Sequence, residues 1–173
     1  MSNSKLSPNS VAFIAMSVEY CHAPETVLDS ERADFIAKML KLLPRIYMSA
    51  TDIAENQFEE NYYAESYLEE ESYDAVKENI ARLLAEDDIY LEVFMDDMKY
   101  SDTPLSASIS ENLADIYQAL YNLAAGVKDA TNEAANEVIA NCKADFETYW
   151  GQTLCNVLRA LHSLRINPDK INY

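Results

Sequence analysis

Any chemistry in this chain must come from carboxylates and phenols, because 30 acids and 12 tyrosines stand beside two histidines and three cysteines. Glu19 and His22 form a Glu-x-x-His pair whose i,i+3 spacing puts both side chains on one helix face. Ferritin-like di-iron bundles use two such motifs plus two further glutamates. The other histidine, His162, follows Arg159 at the matching offset, and arginine is no iron ligand, so Glu19 and His22 read as a surface pair. Glu59/Glu60 and Glu111/Asp115 have the adjacent or one-turn spacing with which acidic helical pyrophosphohydrolases hold magnesium, substrate phosphates completing its shell. So acidic a chain generates such pairs by chance, and no base is placed beside them to neutralise a triphosphate. Asp96, Asp97 and Asp102, before Glu111 and Asp115, lack the alternation and central glycine of a calcium loop. Asp102 belongs instead to the Ser101-Asp102-Thr103-Pro104 turn that leads into a helix. Neither a nucleophile–base arrangement nor a glycine-rich phosphate loop is visible, since the glycines are only Gly126 and Gly151.

Recognition is the better use of these residue types. No lysine or arginine occurs across residues 46–76, where Glu59, Glu60 and further glutamates interleave with Tyr62, Tyr63, Tyr67 and Tyr73. Aromatic anchors dominate interface energetics, so acid with tyrosine suits a basic partner. The competing use of such rings is packing, a tyrosine-pinned loop laid over the fold.

The elements that must position these residues are helices. Only two glycines occur, and sheet-rich folds need glycine at turns and bulges. Ser7-Pro8 starts a helix whose apolar residues 11–18 predict burial on most sides, and which should stop before Pro24. The residues of this segment read as a first helix rather than a secretory signal. Asp29 or Ser30 opens a second helix with an apolar face from Phe35 to Ala50, which Pro44 should kink or divide. The acidic, tyrosine-rich connection occupies about 52–72, and Ser72 caps a third helix through Val76, Ile80 and Leu84. A break at residues 86–88 follows, with Asp88 capping a short helix through Ile89, Leu91 and Phe94. Thr103-Pro104 opens a helix with the stripe Leu105, Ile109, Leu113, Ile116, Leu120, Leu123 and Val127. Thr131 or Asn132 starts the last helix, from Ala135 through Phe146, Trp150 and Leu154 to Leu161. Unbroken it would be roughly 50 Å long, longer than the domain's diameter of about 40 Å, so Gly151 is its natural bend. The tail at about 167–173 should be loosely held.

The reading is therefore all-α, one helical domain over residues 1–173, a bundle of about five or six helices. A net charge of −17 repels phosphate backbones and anionic lipid, which argues against nucleic acid and membrane as partners. No apolar run approaches the length needed to span a bilayer. Cys21, Cys142 and Cys155 lack CxxC spacing and fall in apolar helical patterns, as buried reduced thiols of a cytoplasmic protein would. No cofactor is expected, and an exposed helix stripe would suit a homodimer.

Several stretches also resemble a known family. Asp88-Ile-Tyr-Leu-Glu-Val-Phe94, Met98-Lys-Tyr-Ser-Asp-Thr-Pro104 and Ser108-Ile-Ser-Glu-Asn-Leu-Ala-Asp-Ile-Tyr117 are similar to a family of uncharacterised helical proteins common in Bacteroidetes. Ser10-Val-Ala-Phe-Ile14, Glu19-Tyr-Cys21 and Leu40-Lys-Leu-Leu-Pro-Arg-Ile-Tyr47 resemble its N-terminal half. The resemblance covers most of the chain and implies a helical fold; the family is a domain of unknown function and brings no catalytic residue. The residues thus point to a non-catalytic module binding a protein or small ligand, with Tyr62, Tyr63, Tyr67, Glu59 and Glu60 as interaction candidates. The alternative is a magnesium-dependent pyrophosphohydrolase-like enzyme using paired carboxylates.

Overall fold

A computed structural model describes residues 5–54, 65–92 and 105–167. Ser7 caps the first helix, α1 (Pro8–Glu25), its hydroxyl accepting from the Ser10 amide at 3.0 Å. Helix α2 (Arg32–Thr51) follows, then α3 (Glu70–Leu84), the strands β1 (Ile89–Leu91) and β2 (Ser106–Ser108), and α4 (Ile109–Val127). Helix α5 (Asn132–Asp145) is capped by Thr131 and runs through a π turn (Phe146–Trp150) into α6 (Gly151–Ile166). The chain is all-α apart from one antiparallel hairpin, with Ile89 opposite Ser108 and Leu91 opposite Ser106.

The cleanest stripe in the sequence becomes the axis of the bundle. Ile109, Leu113, Ile116, Leu120 and Leu123 of α4 are all buried, and α1, α3, α5 and α6 pack around them. Helix α2 closes the bundle against α1 and α6. Phe13 stacks on Trp150 at 6.5 Å between ring centroids, and Phe146 meets Trp150 edge-on at 4.7 Å. Each such side chain contributes roughly 1.5–3 kcal/mol on full burial. Lys143 is buried too; its ammonium donates to the Ala50 carbonyl at 3.0 Å and pairs with Glu147 at 3.3 Å. It thereby complements the C-terminal end of α2.

Several expectations are corrected. Pro24 lies inside the last turn of α1 and Pro44 inside α2, which continues past it. One missing hydrogen bond is offset in α2 by burial of Leu42, Leu43 and Ile46 on both sides of the proline. Helix α1 is buried on one face only, with Val11 and Val18 more than half exposed. Helix α3 begins at Glu70, not after Ser72, and Glu69 supplies no side-chain cap. Residues 89–91 form a strand rather than a short helix, and α4 begins at Ile109 rather than Leu105, which is exposed.

The cause of the last correction is Asp88. It starts no helix of its own; its carboxylate accepts from the Ser110 amide at 2.7 Å, the Ser110 hydroxyl at 2.7 Å and the Ser108 hydroxyl at 2.9 Å. The N-terminus of α4 is thus capped from 20 residues upstream, and β1 and β2 are drawn together by that bond. Just before it, Ala85 has φ 51° and ψ −121°, the first central position of a type II′ turn, which glycine ordinarily fills. That strained turn separates α3 from the hairpin. Cys21 and Cys142 are buried, whereas Cys155 is exposed on α6.

Candidate functional site

Along one row of α4, Glu111, Asn112 and Asp115 come toward the surface, and Asp115 lies between α3 and the π turn. Asp115 is the centre of this row. The Tyr73 hydroxyl from α3 donates to its Oδ1 at 2.6 Å, and the Tyr149 hydroxyl from the π turn donates to its Oδ2 at 2.9 Å. The π turn carries the Tyr149 hydroxyl to this point; single π turns inside helices recur at functional sites. Glu111 lies near enough to both phenols, and Glu92 to Tyr149, to act on them electrostatically. Asn156 of α6 donates to Glu92 at 3.2 Å and accepts from Gln152 at 3.1 Å, while Asn112 donates to the Tyr90 hydroxyl. The result is an acidic, phenol-lined seam joining α3, α4, the hairpin and α6.

Its charge is unbalanced. Among the described residues the cation seated at this row is Lys77, whose ammonium sits over the Tyr73 ring at 5.4 Å and pairs with Asp74 at 3.4 Å. Tyr149 is 58% exposed, yet its hydroxyl is pushed up to about 12, first by desolvation and then by the Asp115 hydrogen bond and neighbouring carboxylates. Desolvation, followed by the Asp115 bond, drives Tyr73 upward as well. A phenol whose folded value is raised favours the fold while neutral. This contribution is fully present below pH 10 and is lost as pH rises through about 12. Tyr149→Phe is therefore expected to remove one phenolate absorbance step near that pH and to flatten the loss of stability between pH 10 and 12. An unchanged titration curve would show that Tyr149 is not so held.

What this arrangement offers is a fixed negative surface. Each oxygen of Asp115 accepts one phenol proton, which fixes the carboxylate in place and leaves it lone pairs to offer. Among the described residues no group of three or more His, Cys, Asp or Glu side chains could hold a metal ion. Glu19 and His22 are both exposed on α1. Burial, with the Glu25 charge second, pushes the Cys21 thiol up to about 12; burial also raises Cys142 and Cys155. None of the three is the ready thiolate that nucleophilic catalysis needs.

The interaction candidates divide. Glu59, Glu60, Tyr62 and Tyr63 lie outside the described residues, as do Asp96, Asp97 and Asp102. Tyr67 is pinned to the bundle: its amide donates to Asn122 Oδ1 at 2.8 Å, and its hydroxyl donates to Glu65 at 3.0 Å. Its ring borders a cavity of about 120 Å³ with Asn122, Val138, Asn141 and Asp145, and desolvation raises the Asp145 carboxyl. Tyr73, from the sequence's tyrosine cluster, reaches Asp115. Tyr149 and Glu92 were not singled out by the sequence as site residues. No local motif marks them, although Tyr149 stands beside the stripe position Trp150, two residues before Gly151.

Comparison with known proteins adds a relative but no activity. A family model described as "Domain of unknown function (DUF5063)" matches residues 4–167. A crystal structure of protein BF1032 from Bacteroides fragilis is 32% identical, with a TM-score of 0.82 over 95% of this chain and 96% of that one. No curated protein matches. The motifs that resemble a helical domain-of-unknown-function family thus point to the family found.

Proposed function

Since the chain belongs to the DUF5063 family, a domain of unknown function from which no activity can be carried over, we propose its role from its own surface: a non-catalytic interaction module whose acidic, tyrosine-lined seam takes a basic segment of a partner protein. The observation that carries this reading is Asp115, held at both oxygens by Tyr73 and Tyr149. A carboxylate clamped in this way loses little freedom when a cation arrives, and two phenol faces flank it. Lys77, already seated on the Tyr73 ring, illustrates how a lysine is received there. Glu111 and Glu92 extend the charge along the seam. No helix among the described residues is long and apolar enough to cross a membrane. We infer a cytoplasmic location from the free thiols of Cys21, Cys142 and Cys155.

The test is fluorescence anisotropy with a labelled lysine-rich peptide and its glutamate counterpart. The basic peptide is expected to bind and to weaken as salt rises. Combining Glu111→Lys with Tyr149→Ala should lower affinity by about tenfold or more, since 1.4 kcal/mol is a factor of ten. Glu111 is exposed and Tyr149 mostly so, which leaves the core intact. Equal binding of both peptides, or an unchanged affinity in the double variant, would sink the reading.

A further inference from the structure

A second concavity lies against the outer face of α6. It is a recess of about 380 Å³ between residues 86–91 and α6, within the size range of small-ligand pockets. Tyr90 and Asn156 border both the seam and this recess, but none of Tyr73, Glu111, Asp115 or Tyr149 lines it, so it adjoins the seam without including the clamped carboxylate.

Three features of its walls are unusual in this protein. The first is Arg159. In a chain of net charge −17, its side chain makes no ion pair or hydrogen bond among the described residues. Helix α6 carries no acid from Gly151 to Ile166, so nothing on its own helix neutralises it. The second is the acidic wall opposite, made by Glu86 and Asp87. Arg32 pairs with Asp87 through Oδ2 and leaves Oδ1 buried with no hydrogen-bond partner. Glu86 is exposed and does not pair with Arg159, although both border the same recess. The third is the apolar lining. Ile89 and Leu91 project from one side of β1 at 61% and 60% exposure, and Leu164 of α6 lines the recess with them.

With Asp87 already paired to Arg32, the charges left in the recess are one acid, Glu86, and one base, Arg159, which do not pair with each other and share an apolar lining. A simple carboxylate would meet Arg159 but be repelled by Glu86; a simple amine would meet the reverse. We propose that the recess binds a small zwitterion with an apolar body, of the class of a free apolar amino acid. Its carboxylate pairs with Arg159, its ammonium faces Glu86 and the Asp87 side, and its side chain rests on Ile89, Leu91 and Leu164. The charged groups set orientation, and the apolar contact supplies affinity.

Calorimetric titration with L-phenylalanine, phenylpropionate (no ammonium) and phenethylamine (no carboxylate) tests this on the full chain. L-phenylalanine is expected to bind, and each analogue to bind at least about tenfold more weakly. Arg159→Gln should erase the advantage over phenethylamine, and Glu86→Gln the advantage over phenylpropionate. Both residues are exposed, so both variants should keep the wild-type melting temperature. No binding of L-phenylalanine, equally tight phenylpropionate, or an Arg159→Gln protein that still prefers the zwitterion would each overturn the proposal.

Discussion

Gly151→Ala is expected to destabilise this protein by about 3 kcal/mol, at the upper end of what an overpacked methyl does, although glycine to alanine inside a helix ordinarily stabilises by up to about 1 kcal/mol. The reason is the π turn. At Gly151 its amide donates to the Phe146 carbonyl, five residues back, and an added Cβ would lie 2.5 Å from that same carbonyl oxygen. It would also lie 3.0 and 3.1 Å from carbons of the Phe146 ring, which is itself wedged against Trp150 and Tyr47. Backbone cannot rotate away as a side-chain tip can, so the turn must reshape and the Phe146–Trp150 pair must shift. Thermal unfolding should register the loss as a fall of roughly 6–12 °C for a domain of this size. Gly126→Ala is the internal comparison. Its Cβ would meet Val138 Cγ1 at 3.0 Å and the Tyr67 ring at 3.4 Å, both side-chain atoms that can move. A small effect at Gly126 with a large one at Gly151 is the expected pair. A Gly151→Ala protein as stable as wild type would mean that no tight π turn is present.

Asp88→Ala is expected to lose about 3 kcal/mol or more, because it unpairs a buried helix N-terminus and two hydroxyls at once. Asp88 is 7% exposed and receives the Ser110 amide and the hydroxyls of Ser108 and Ser110. Its charge also faces the positive end of the α4 dipole. Removing it leaves those donors turned toward a space from which water is largely excluded, and loosens the tie between β1 and β2. Asp88→Asn keeps an acceptor oxygen for the Ser110 amide but turns a donor on the hydroxyls, so its loss should be about half as large. Denaturant titration should show the midpoint falling in the order wild type, asparagine, alanine at constant slope. If alanine cost less than about 1 kcal/mol, the remote cap would be worth no more than an ordinary exposed one.

How far the sequence could be read depends on the range of the forces involved. Helix class, the core stripe of α4, and the caps at Ser7 and Thr131 follow from local periodicity and from side chains bonding amides three residues away. Composition and length pointed to a bend at Gly151, since a straight last helix would outrun the domain, and the π turn Phe146–Trp150 ends immediately before that residue. The acidic balance and its base-free interval at residues 46–76 are likewise properties of the chain itself. Even the resemblance to a helical family of unknown function could be read from short motifs, and the family match covers residues 4–167.

What tertiary structure alone decided are the partnerships between elements. Asp88 as a lone residue reads as the start of its own helix; only the fold brings Ser108 and Ser110 to its carboxylate, and the segment becomes a strand. Pro24 reads as a stop and Pro44 as a kink or division, yet Pro24 falls inside the last turn of α1, and around Pro44 the burial of Leu42, Leu43 and Ile46 outweighs the lost amide bond. Lys143 carries no local signal of a partner, and only the fold sets its ammonium against the Ala50 carbonyl at the end of α2. Glu111 and Asp115 were visible as a one-turn pair of acids, but spacing along a chain cannot show that Tyr73 and Tyr149, 76 residues apart, converge on one carboxylate. The fold thus gathers carboxylates and phenols into one hydrogen-bonded group. Hydrogen bonds act over about 3 Å in space whatever the separation in sequence, and so it was the fold that turned a Glu/Asp pair read for magnesium into a tyrosine-clamped anionic surface.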